Sequence, residues 1–129
     1  MISQYPIIAT LLFFAIVFIQ SGYDKVTDWQ GNLGWLKGHF SKTVIKNYVP
    51  QSLLMILVME VLSGAFCVIA VIQMLVNESR DWAFTAGCFS AATLLFLILG
   101  QRMAKDYDGA RTIAIYFIPA LLLLHWVAV

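Results

Sequence analysis

Apolar residues gather in four long runs separated by polar connections. The first runs from about Ile2 to Gly22, the second from Pro50 to Val76, the third from Trp82 to Gly100 and the fourth from Thr112 to Val129. Each approaches the ~20 residues an α-helix needs to cross ~30 Å of hydrocarbon. None alternates apolar and polar positions as barrel strands do, and only helices or closed barrels satisfy their backbone groups inside lipid. Pro50 suits the first turn of a helix. The pattern predicts an all-α, integral membrane four-helix bundle, one domain over residues 1–129, with successive helices antiparallel. No lysine or arginine precedes the first run and no small-x-small site follows it, so it reads as an uncleaved span.

The connections differ in kind. "NESRD" at 77–81 is short, whereas "QRMAKDYDGAR" at 101–111 is polar and charged, and residues 23–49 form the one long link. Within 28–43, Trp29, Leu33, Leu36 and Phe40 step by four, three and four, which is one face of a helix. This predicts an interfacial amphipathic segment lying in the headgroup layer, with Lys42 and Lys46 drawn to an anionic leaflet. Gln30, Asn32, Lys37 and His39 fall on other faces. Gly31, Gly34 and Gly38 oppose a regular helix, each by about 1 kcal/mol relative to alanine. A bent, partly re-entrant segment is the alternative.

Composition narrows the class. The chain is 61% hydrophobic and 12% charged, with mean hydropathy +0.85. An ordinary soluble domain carries about 25% charged residues. A net charge of +1 supplies no basic field for nucleic acid. Cys67 and Cys88 sit in apolar runs without metal-ligand spacing and read as small packing groups. Of the eight lysines and arginines, all but Arg80 fall in the 23–49 and 101–111 connections. The positive-inside rule then predicts both connections in the cytoplasm and both termini outside. On that topology His39 and His125 approach opposite faces, which opposes a shared metal site.

Glu60 is the main chemical clue. It lies ~15 Å along the second run, near the bilayer centre, where a carboxylate costs ~2.5 kcal/mol or more. It should therefore face the bundle interior. At that level the third run offers Ser90 and Thr93, and the first offers Thr10. Ser90, Thr93 and a neutral Glu60 would make an interior polar cluster. Neither basic connection reaches that depth without a long snorkelling side chain. Two readings of Glu60 stand: interhelical adhesion worth roughly 1 kcal/mol, or a proton acceptor or quinone-headgroup contact.

Small residues predict close packing near it. Gly64 follows Glu60 by four, and Ala83, Gly87 and Ala91 form a small-x-x-x-small stripe on the third run. These predict that the second and third helices approach closely. At the edge of the first run, Tyr23, Asp24, Lys25 and Asp28 put opposite charges side by side. They read either as local pairing and anchoring or as a ligand or partner site at the mouth of the bundle.

The stretches "FIQSGYDKVTD", with Gly22 and Lys25, and "VMEVLSGAF", with Glu60 and Gly64, resemble the G-x-x-K and E-x-x-x-G motifs of the DoxX family of small four-helix membrane proteins. "LGQRMAKDYDGA" resembles that family's third connection, and the likeness covers essentially the whole chain. The arginine that opens the first helix in many relatives has no counterpart before Lys25. The resemblance implies an accessory subunit of a quinone-linked redox system, expected in a bacterial inner membrane. Its implied site is Gly22, Lys25 and Glu60, with Asp24 and Asp28 adjacent by position only. No cofactor motif is present in the chain, so electrons would require a partner subunit or a diffusible quinone. A structural or assembly subunit and a small proton-coupled carrier are the rival expectations. The partners expected are the lipid bilayer and either other membrane subunits or further copies of the chain.

Overall fold

The computed structural model describes residues 4–43, 47–77 and 79–128. Ile2 and Ser3 of the first predicted span, Lys46 of the basic connection, Glu78 of the short turn and Val129 lie outside the described residues. Five helices follow one another: α1 Tyr5–Thr27, α2 Trp29–His39, α3 Val49–Asn77, α4 Asp81–Met103 and α5 Tyr107–Ala128. All except α2 are long and apolar enough to cross a membrane. The protein is an all-α helical bundle of the integral membrane class.

The helices outrun the apolar runs that predicted them. α1 continues past Gly22 through Tyr23, Asp24, Lys25 and Val26 to Thr27. Hydropathy marks where hydrocarbon ends, whereas a helix continues for as long as its residues tolerate the conformation. The chain leaves the helix at Asp28, with φ −133° and ψ 53°, and resumes as α2 at Trp29. α4 likewise extends to Met103, and Lys105, at φ 60°, turns the chain into α5.

The bundle closes in a ring. α1 packs on α3, α3 on α4, α4 on α5, and α5 returns to α1. Ile7, Leu11, Phe14 and Phe18 give α1 a fully buried stripe stepping by four, three and four. Cys67, Ala70 and Met74 of α3 and Ala83, Ala86 and Leu94 of α4 belong to the same core. Outward-facing Ile16, Ile72, Leu95, Ile118 and Leu121 are more than half exposed or nearly so, a surface that lipid covers.

The small residues do pack closely, but against different neighbours. A Cβ on Gly64 would lie 2.8 Å from Ile19 Cγ1 and 3.5 Å from the Ile19 backbone nitrogen, so this glycine admits α1. A Cβ on Gly87 would lie 2.9 Å from Leu124 Cδ2, so this one admits α5. Ala83 and Ala91 are buried beside it on α4. Spacing by four identifies a close-packed face without identifying the helix that meets it.

α2 has no fully buried residue. Trp29, Leu33, Leu36 and Phe40 are half-buried, as the apolar face predicts, and Asn32 and His39 join them. The helix rests against α1 and α3 at the charged end of the bundle.

Candidate functional site

The extension of α1 decides the chemistry of that end. Glu60 is 1% exposed, and the ammonium nitrogen of Lys25 stands 2.8 Å from its Oε1. Lys25 also donates to Ser21 Oγ, one turn back on α1, at 2.8 Å. The approach of α1 to α3 here needs a small residue: a Cβ on Gly22 would sit 3.3 Å from Val61 Cγ2. Lys25 thus reaches inward from the helix end to a carboxylate that has no charged neighbour in sequence. An ion pair this buried is held together strongly, because losing either partner strands the other charge away from water.

The other buried polar groups line up along α3. Ser63 Oγ lies 2.9 Å from Thr93 Oγ1, and Cys67 Sγ lies 3.7 Å from Ser90 Oγ. Thr93 donates its hydroxyl proton to the Phe89 carbonyl at 2.8 Å, so Ser63 is the donor to Thr93. Glu60, Ser63 and Cys67 are spaced by three and four on one helical face. The expected cluster of Glu60, Ser90 and Thr93 is therefore resolved into separate pairs. Glu60 takes Lys25, and the α4 hydroxyls take Ser63 and Cys67. Thr10 turns elsewhere and donates to the Pro6 carbonyl at 2.8 Å. His125 is exposed on α5.

Asp24 and Asp28 are exposed. Their backbone carbonyls accept from Asn32 Nδ2, at 3.4 and 2.8 Å, and so fix the corner between α1 and α2. Within the predicted mouth, Lys25 carries the inward-reaching charge and the two acids shape the turn.

Between α2, α3 and the α4–α5 corner lies a cavity of about 400 Å³. Its roof is one face of α2: Asn32, Trp35, Leu36, His39 and Phe40. Val49, Leu53 and Ile56 of α3 and Leu97, Gly100 and Gln101 of α4 line it from the bundle side, and Lys25 projects into the same wall. The indole of Trp35 stacks on the His39 ring, with centroids 4.4 Å apart and planes 18° from parallel. His39 Nε2 lies 3.6 Å from Asp106 Oδ2. Asp106 in turn accepts from the Gly109 amide through Oδ1 at 3.1 Å, which holds it at the start of α5. His39 Nε2 and Gln101 Oε1 are buried without a hydrogen-bond partner among the described residues.

The lining also includes Met55, Phe96 and Leu99, which are 44%, 45% and 55% exposed. These belong to α3 and α4, so the cavity opens on the apolar flank of the bundle. An apolar body with a small polar head fits such a lining, its head near Lys25, His39 and Gln101.

Sequence reading takes Ser63 only as a small packing residue beside Gly64, does not find Gln101 or Asp106, and opposes a metal shared by His39 and His125. Ser63 had a signal, since it shares a helical face with Glu60. The meeting of His39 with Asp106 is a tertiary fact with no local signature. No family model, curated protein or solved structure matches the chain.

Proposed function

We propose that this protein is a DoxX-like membrane subunit that holds the head of a lipophilic quinone in the cavity and serves a membrane redox system. The observation that carries this reading is the cavity lining. Apolar walls open toward lipid, and Lys25, His39 and Gln101 share the lining and supply polar groups for a head. A quinone has the matching form, an isoprenoid or alkyl tail with two carbonyls. The Lys25 ammonium and the His39 ring can each donate to a carbonyl oxygen. Trp35 and Phe40 offer aromatic faces to the ring. Electrons would come from a partner subunit, and the charged end carrying α2 would face the cytoplasm, in keeping with its lysines and arginines.

The test uses the chain in nanodiscs and a decyl-benzoquinone. Saturable quenching of tryptophan fluorescence, lost in Trp35→Phe and in the cavity-filling Leu53→Trp, is the expected result. Quenching that rises linearly with quinone and is the same in Trp35→Phe would reject the site. Purification in mild detergent from native membranes should recover a quinone-reactive enzyme with the tagged chain.

A small proton-coupled carrier is the second reading, favoured by the buried Glu60–Lys25 pair. It requires flux across proteoliposomes that Glu60→Gln abolishes.

A further inference from the structure

The cavity has an electrostatic property that its shape does not reveal. Its lining contains three ionisable side chains, Lys25, His39 and Asp106. Lys25 would make it a trap for anionic heads if it stood alone. It does not: Glu60, directly behind it and 1% exposed, is 2.8 Å from its ammonium. Asp106 faces His39 at 3.6 Å. The site therefore holds no net positive charge whether His39 is protonated or neutral.

We infer that the cavity selects an uncharged polar head over an anionic one, and that Glu60 sets this selectivity by cancelling the charge of Lys25. The inference rests on the reading of the cavity as a ligand site. A membrane offers many anionic amphiphiles, fatty carboxylates and phospholipids among them, with tails as apolar as any quinone's. An anionic head entering here would meet the Asp106 carboxylate on the lining, with the charge of Lys25 already balanced by Glu60. Like charges in such a setting repel strongly, and an unpaired charge pays a large desolvation penalty. A carbonyl or hydroxyl head meets no such barrier. A carbonyl head can accept from His39 Nε2 when that nitrogen carries the proton, and a hydroxyl head can donate to Gln101 Oε1, both atoms being buried without a hydrogen-bond partner among the described residues. Glu60 touches no ligand in this scheme. It is a specificity residue that acts through Lys25.

The experiment compares 2-bromo-undecanol with 2-bromo-undecanoate, whose bromine lies beside the head, in uncharged nanodiscs at mildly alkaline pH, where the acid is ionised. Bromine quenches a nearby indole, and the part of the quenching lost in Trp35→Phe reports the cavity. The intact chain should bind the alcohol more tightly than the carboxylate by ~tenfold or more. Glu60→Gln and Asp106→Asn each remove one negative charge while keeping side-chain size. Each should tighten carboxylate binding by ~tenfold, read as a fall in the ratio of alcohol to carboxylate affinity. Asp106 is the less buried of the two, and asparagine caps helices as aspartate does, so this variant tests the inference even where Glu60→Gln does not fold. Equal affinity of the intact chain for the two amphiphiles, or an alcohol-to-carboxylate ratio unmoved in Asp106→Asn, overturns the selectivity and leaves the cavity as a binding site. Failure of both amphiphiles to quench Trp35 overturns the site and the selectivity together.

Discussion

The two ends of the bundle are built on opposite plans. At the end carrying the short turn, Arg80 acts as a clasp. Its Nε donates to Gln4 Oε1 at 2.9 Å and its Nη1 to the Trp126 carbonyl at 3.0 Å, tying the α3–α4 turn to the start of α1 and the finish of α5. At the other end the long connection folds into α2, and a cavity of about 400 Å³ separates it from the core. There the strong charge, Lys25, is directed into the bundle toward Glu60 instead of across the helix ends. One end spends its cation on closure and the other arranges charge around a space. The contrast supports the proposal that the cavity is a ligand site: a membrane bundle gains nothing in packing from leaving a polar-rimmed cavity at one end only.

The largest break in this comparison should come from Lys25→Met. It strands the Glu60 carboxylate inside the bundle, and thermal unfolding in detergent should show a loss of ~3–5 kcal/mol. The double variant Lys25→Met with Glu60→Leu should recover most of that loss, because replacing both partners of a buried pair by apolar groups is often neutral. The proposed quinone binding should not return with it. Arg80→Ala should cost about 2–3 kcal/mol through its hydrogen bonds, without changing the proposed quinone binding at the far end. A coupled loss of affinity would show that the two ends are not independent. Gly64→Ala lies between them and should cost about 1–3 kcal/mol, because its methyl group must displace Ile19. The smallest effect belongs to the roof. Gly34 and Gly38 have open space where a Cβ would stand. Alanine at either should stabilise α2 by about 1 kcal/mol or less, read as slower amide hydrogen exchange in residues 29–39.

The spans were legible in the sequence because hydrocarbon imposes a length, and four runs near that length leave few alternatives. Their ends were less so. Val49–Asn77 starts and stops within a residue of its apolar run, but Tyr5–Thr27 and Tyr107–Ala128 carry charged turns that hydropathy assigns to connections. That error concealed the Lys25–Glu60 pair. A lysine placed in a loop has no reason to meet an acid one span away, whereas a lysine on a helix has a direction and a reach. Glu60 itself was legible as an interior residue because an acid amid apolar neighbours has nowhere else to go. The rim was only partly legible. The apolar face of α2 could be counted, yet Asn32 and His39 were assigned to other faces because polarity was used as a proxy for exposure. Around a polar-rimmed cavity that proxy fails. Asp106 reaches the rim through the turn at Lys105, and its encounter with His39 depends on how α2 folds back.

The Lys25–Glu60 pair also bears on how the chain is made. During synthesis α1 emerges before α3, so Glu60 enters the bilayer when Lys25 is already there. An acid within an apolar span raises the insertion free energy until it finds a partner. The partner resides on the immediately preceding span and not on α4 or α5, so this debt is settled as soon as the first two spans touch. The pair thus lets α1 and α3 dock as a first unit of biogenesis, ahead of α4 and α5.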